Sequence, residues 1–188
     1  MRSVIAVELV SLDGVMESPE EWAFSYSNDE MEEANASGMA ASDALLMGRV
    51  TYEQMVAYWP NQPGGVPMVD YINSVSKYVV STTLEEPLGW NNSTLIRRNV
   101  AEEVSELKRQ PGKDILVFGS ADLVNELVRH DLIDELRLMV FPIVVGSGKR
   151  LFEDGLDAAV LRLVDTSTFG SGVVVLTYRP ARDGGENG

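Results

Sequence analysis

The residues best placed to do chemistry gather where apolar runs give way to glycine, hydroxyl or charge. Four such exits stand out: Ser11–Gly14 (SLDG), Met47–Thr51 (MGRVT), Ser81–Thr83 (STT) and Phe118–Leu123 (FGSADL). In MGRVT, Gly48 lets the backbone turn, Arg49 supplies a fixed cation, and Thr51 can cap a helix or bond a phosphate oxygen. In FGSADL, Gly119 and Ser120 stand where a strand enters a helix, and backbone N–H groups at such a start can cradle a pyrophosphate. Ser81 and Thr82 offer hydroxyls to a phosphate or a ribose. Arg97, in the adjacent pair Arg97–Arg98, adds a second cation after a strand. Taken singly, each has a commoner structural use: a strand-to-helix turn, an N-cap, a hydroxyl turn or an exposed ion pair.

Two carboxylates sit on or just after the first apolar run. Glu8 lies inside it, and a carboxylate there is costly unless paired or functional. It faces either a ligand cleft or a basic neighbour; the cleft is the preferred reading. Asp13 can donate or relay a proton, although Asp-Gly is also a favourable turn. Trp22, Phe24 and Tyr26 alternate beyond this loop, to stack on a planar ring or to close a core edge. Lys149 and Arg150, in VVGSGKRLF, are cations that can meet a substrate phosphate, but the glycines there lack P-loop spacing.

Composition removes several classes of chemistry. The 188 residues carry 15 Lys+Arg against 29 Asp+Glu, a formal net charge of −14. That surface disfavours nucleic acid and anionic membranes. With 0 Cys and 1 His, thiolate metal sites and the usual zinc ligand sets are excluded. No Ser/His/Asp or Cys/His set can be assembled, which argues against hydrolytic nucleophile chemistry. The acidic cluster Asp29–Glu33 reads as a solvated helix start, not a metal site. Glu8 and Asp13 interrupt the N-terminal apolar run before it becomes a signal segment, and no stretch reaches bilayer length. A cytoplasmic protein is expected.

The elements that must position these residues alternate. Val4–Val10 is a nearly continuous apolar strand, as for a strand buried on both faces. Asn28 can cap an acidic first helical turn. Ala44–Met47 is a strand ended by Gly48, and from Thr51 onward a short helix runs to its stop at Trp59–Pro60. Pro67 opens a brief helix. Lys77–Ser81 and Thr94–Arg97 are strands. Asn99 with Glu102 makes a capping box for the next helix. Asp114–Phe118 is a strand, and the following helix carries Leu123, Val124, Leu127 and Val128 on one face. Glu135–Phe141, Val160–Thr168 and Gly172–Tyr178 are strands with no helix between them, the last two forming a hairpin. The fold class is α/β: three layers, α/β/α, with a mixed, mostly parallel central sheet and an antiparallel C-terminal hairpin. Residues 1–180 form one domain, and 181–188 read as a flexible tail.

In their order and spacing, SLDG, LLMGRVTYE, KYVVSTTL, ILVFGSADLVNELV and DELRLMVFPIVVGSGKRLF resemble the dihydrofolate reductase-like superfamily. The likeness is to the branch holding the C-terminal reductase domain of the bifunctional riboflavin-biosynthesis deaminase/reductase, and it covers residues 2–180. The resemblance implies NADPH lying across the strand ends. Gly48, Arg49 and Thr51 would hold the adenosine side and its 2′-phosphate, with Arg97 assisting and Ser81 and Thr82 at the adenosine. Gly119, Ser120, Ala121 and Leu123 would line the pyrophosphate. Ala6, Val7 and Gly14 would lie near the nicotinamide. Glu8 and Trp22 are expected to meet substrate, and Asp13 to manage the proton. The implied activity is like that of 5-amino-6-(5-phosphoribosylamino)uracil reductase, with a dihydrofolate or pterin reductase, or a non-catalytic NADPH-binding dimer, as alternatives. A zinc deaminase domain has no residues here to form it, and no Arg is placed for a folate tail. The branch is commonly homodimeric, and LRLMVFPIVV offers a sheet edge or face to bury.

Overall fold

A computed structural model describes residues 1–181, and expected tail residues 182–188 lie outside the described residues. Thirteen elements carry the architecture. They are β1 (Val4–Ser11), α1 (Asp29–Ala41), β2 (Ser42–Gly48), α2 (Arg49–Tyr58), α3 (Pro67–Ser74), β3 (Ser76–Val80) and β4 (Ser93–Ile96). After them come α4 (Val100–Arg109), β5 (Asp114–Val117), α5 (Ala121–Arg129), β6 (Glu135–Phe141), β7 (Leu161–Thr168) and β8 (Val174–Pro180).

One eight-stranded sheet runs in the order β4-β3-β2-β5-β1-β6-β8-β7. The six strands from β4 to β6 are parallel, while β8 is antiparallel to both β6 and β7. The expected mixed sheet with an antiparallel end is therefore present. Its apolar central strands follow from burial on both faces. On β1, Val4, Ala6 and Val10 pack with Val104 and Leu107 of α4 and Val124 and Leu127 of α5. Ile5, on the opposite face, packs with Leu45, Leu116 and Ile72 of α3. A third cluster, beyond β6, joins Trp22, Phe141 and Phe169.

Two local expectations change. Asn28 does cap α1, accepting from the Met31 N–H at 3.0 Å. Asn99 does not cap α4 with its side chain: its φ of 53° is left-handed, which turns the side chain away from the capping position. The strand β6 is also internal, paired with β1 and β8, so LRLMVFP offers a face and not an edge. The edges are β4 and β7. No helix among the described residues is long and apolar enough to cross a membrane.

Candidate active site

Parallel strands deliver their carboxyl ends to one side of a sheet, and helices that follow them begin there. Here β2 ends at Gly48 and α2 begins at Arg49, while β5 ends at Val117 and α5 begins at Ala121. The two starts meet. The Gly48 N–H donates to the Gly119 carbonyl at 3.1 Å. A Cβ on Gly48 would lie 2.3 Å from Ser120 Oγ, and one on Gly119 would lie 2.9 Å from Thr51 Oγ1. Glycine is therefore required at both positions by close approach, and Gly119 is also left-handed, with φ at 55°. Neither Gly48 nor Ser120, the two N-cap residues, caps its helix with a side chain. Two helix starts with open N–H groups thus face one cleft, the arrangement that receives phosphate.

That cleft, of about 280 Å³, is bordered by Glu8, Met16, Thr51, Phe118, Gly119 and Ser120, with Lys149 at its rim. Glu8 is 2 % exposed. Its Oε1 accepts from the Gly119 N–H at 2.9 Å. Burial pushes its carboxyl up to about 8, and the Gly119 N–H offsets only part of that rise. At neutral pH Glu8 therefore keeps its proton. Asp13 is the opposite case. It accepts from Ser11 Oγ at 2.6 Å, from the Val145 N–H at 3.0 Å and from the Gly146 N–H at 2.8 Å. These bonds, the Ser11 hydroxyl first, hold its carboxyl well below the usual range. Asp13 is thus an ionised carboxylate that braces the β1 exit against the loop after β6.

The other expected residues divide. Thr51, Gly119, Ser120 and Ala121 border the cleft with Glu8. Leu123 is buried in the core, leaving only its main chain near the α5 start. Arg49 opens α2, exposed and paired with Glu53 at 2.8 Å. Ser81 and Arg97 follow β3 and β4, one and two strands beyond β2, so about 5 and 10 Å along the same edge. Ser81 Oγ accepts from the Thr83 and Leu84 N–H groups, each at 3.1 Å, while Thr82 is exposed. Ala6 is fully buried between strands. Gly14 sits in the exit loop, its carbonyl accepting from the Leu151 N–H at 3.0 Å. Trp22 is core: 8 % exposed, its indole N–H bonded to the Glu17 carbonyl at 2.9 Å and its ring edge-on to Phe141 at 5.5 Å. The structure does not bring it to either cavity.

A second cavity of about 570 Å³ opens on the other sheet face, between α1 and β6–β8. The β1–β5 pairing extends only to Ala6 and Val117. Just beyond, Val7 borders this cavity, Glu8 borders the cleft, and Phe118 borders both. Val7, Leu116 and Met139 make its apolar floor, and its polar end holds Arg137 and Arg179. Both guanidiniums grip the buried Glu135 carboxylate, with Arg137 Nε at 2.6 Å and Arg179 Nε at 3.1 Å. Sequence reasoning placed Phe118 at a strand exit without giving it a role, and missed Arg137 and Arg179. The alternation in ELRLMVF carries a usable signal, because it puts Arg137 on the face opposite Leu136 and Leu138.

A parallel-centred α/β sheet, with two helix starts converging beside a split between neighbouring strands, defines the dihydrofolate reductase-like class. Within that class the chain belongs to the RibD C-terminal domain family, whose profile matches residues 2–175. Relatives in Bacillus subtilis (strain 168) are YyaP, 37% identical over 139 residues (72% of this chain and 73% of that protein), and YwjB, 30% identical over 176 residues (92% and 95%). Among solved structures, a protein from Shewanella sp. PV-4 superposes with a TM-score of 0.76 at 22% identity, covering 97% of this chain and 100% of that one. The Thermotoga maritima diaminohydroxyphosphoribosylaminopyrimidine deaminase/5-amino-6-(5-phosphoribosylamino)uracil reductase superposes with a TM-score of 0.64 at 14% identity, covering 96% of this chain and 57% of that one. The likeness to these two structures shows the fold.

Proposed function

We propose that the chain is an NADPH-dependent reductase acting on a small heterocyclic or sugar-bearing substrate related to 5-amino-6-(5-phosphoribosylamino)uracil. The observation that carries this reading is the meeting of the α2 and α5 starts at Gly48 and Gly119–Ser120, beside the point where β1 and β5 part. The residues fit a dinucleotide: two glycine-opened backbones, uncapped helix N-termini, and cations at Arg49 and Arg97 on the same sheet edge. NADPH, when bound, supplies the hydride. The chain supplies the rest. Gly48, Gly119 and Ser120 give the pyrophosphate close access to main-chain donors, and Arg49 and Arg97 favour the 2′-phosphate. Val7 and Phe118 border the split where the two cavities approach, which orients a planar substrate against the reacting ring and excludes water. The apolar floor suits a heterocycle, and the guanidiniums of Arg137 and Arg179 suit a polar or anionic substituent.

The absence of Cys fits a reducing compartment, and the reading is of a cytoplasmic enzyme. A homodimer completes the reading. Fluorescence titration with NADPH, followed by its oxidation against pyrimidine and pterin substrates, tests the proposal. NADPH binding without oxidation by any of them favours the non-catalytic alternative, and no binding at all rejects both. Arg49→Ala is expected to weaken NADPH about tenfold, as for loss of a charged hydrogen bond, and to leave NADH nearly unchanged. Equal losses for the two cofactors would remove Arg49 from the 2′-phosphate site.

A further inference from the structure

We propose that Glu8 is a cofactor-facing carboxyl that keeps its proton when the dinucleotide is bound and donates it in a hydrogen bond from Oε2 to a cofactor oxygen. This rests on the dinucleotide reading of the cleft. Its basis is geometric. Glu8 Oε1 is committed to the Gly119 N–H, whereas Oε2 has no hydrogen-bond partner among the described residues. That free oxygen lies 3.8 Å from where a Gly119 Cβ would stand, beneath the α5 start. Glu8 borders the cleft, and Oε2 is not among the fully buried unpartnered oxygens of the described residues, so it stands open to the cleft within reach of a ligand atom.

The surroundings decide its charge. The charged groups bordering the cleft are Glu17 from the loop after β1, Asp122 from α5 and Lys149 from the β6–β7 connection. Lys149 is already paired with Asp122. From α2 come the neutral Val50, Thr51 and Gln54, and β1 adds no other charge. Among the described residues that border the cleft, no unpaired cation is left to balance a Glu8 carboxylate. Burial, partly offset by the Gly119 N–H, keeps the proton on to about pH 8. An arriving pyrophosphate adds like charge, which raises the carboxyl further. Binding and protonation of Glu8 are then linked: above pH 8 each dinucleotide that binds must draw in a proton. A carboxyl that merely braces Gly119 predicts no such uptake.

Calorimetric titration of the full chain with NADPH, in two buffers of different ionisation heat, measures this directly. At about pH 9 the wild type is expected to take up close to one proton per dinucleotide, and Glu8→Gln close to none. The wild-type Kd is expected to rise up to about tenfold per pH unit above pH 8, and that of Glu8→Gln to stay level. NADH is expected to show the same uptake, because the proton does not reside on the 2′-phosphate. Equal uptake in wild type and Glu8→Gln overturns the proposal. So does a wild-type Kd that is flat from about pH 7 to 9.5, a result that needs no variant to fold. Failure of the wild type to bind NADPH at any pH overturns the functional reading and this inference with it. Binding without proton uptake overturns this inference alone.

Discussion

Glu8 and Asp13 stand five positions apart on one strand and its exit loop, yet the fold holds them in opposite protonation states. Glu8 is buried and contacts one N–H; Asp13 meets three donors at the surface. The consequence for stability has a definite sign. Unfolded Glu titrates near 4.3, and folded Glu8 near 8. Between those values the folded state holds the extra proton, so stability falls as pH rises through that window, by on the order of a few kcal/mol in total. Thermal unfolding from about pH 5 to 8 is expected to show this decline in the wild type and a level profile in Glu8→Gln. Parallel profiles would mean that Glu8 ionises normally. Gly48 makes a different demand. A Cβ there would meet Ser120 Oγ at 2.3 Å and Ser120 N at 3.1 Å, and the main-chain atom cannot swing aside. Gly48→Ala is expected to cost about 1–3 kcal/mol and to depress NADPH affinity as the two helix starts are forced apart. An unchanged melting temperature and Kd would show that the contact yields.

At the scale of elements, strand-to-helix transitions were legible because they are local chemistry. An apolar run ended by glycine, then a helical period, locates Gly48–Arg49 and Gly119–Ser120 correctly with no knowledge of the partner strand. What brings these two points together is the order β2-β5-β1, and nothing in either segment encodes adjacency. Trp22 is hard to place from sequence for a related reason: alternating aromatics look alike whether they line a cleft or pack on Phe141, which is 119 positions away in the chain. Lys77 shows the same limit. It reads as an ordinary strand residue, but it is fully buried, bonded to the Val75 carbonyl at 2.9 Å and set over the Trp90 ring at 4.4 Å. Burial brings its ammonium down to about 8. Asp13 illustrates how loops that are distant in sequence are coupled. Its carboxylate ties the β1 exit to Val145 and Gly146, and its carbonyl accepts from Arg150 Nε at 3.0 Å. Asp13→Asn leaves fewer acceptor sites for these N–H groups. Hydrogen exchange at the Val145 and Gly146 amides is expected to speed up in that variant, while exchange in α4 stays as it was. Unchanged protection at both amides would show that the loop is held by other contacts.

For the whole molecule, the net charge of −14 bears on how the proposed anionic dinucleotide would reach a site built from a few placed donors. The cations on the binding edge act at short range: Arg49 is already shared with Glu53. At distances beyond a few residues the ligand meets a field of its own sign, which slows encounter. Salt shortens that field, from about 30 Å at 0.01 M to about 10 Å at 0.1 M, and weakens the long-range repulsion more than contacts made inside the cleft. The association rate of NADPH, followed by stopped-flow fluorescence, is therefore expected to rise as salt is added across that range. A basic cofactor groove would give the reverse trend. A rate that falls with salt would mean that local cations around Arg49 and Arg97 govern encounter and that the acidic surface is turned away from the approach path. The same acidity acts on self-association. Two copies of so acidic a chain bring like-charged bodies together, so the proposed homodimer is expected to tighten with salt over the same range.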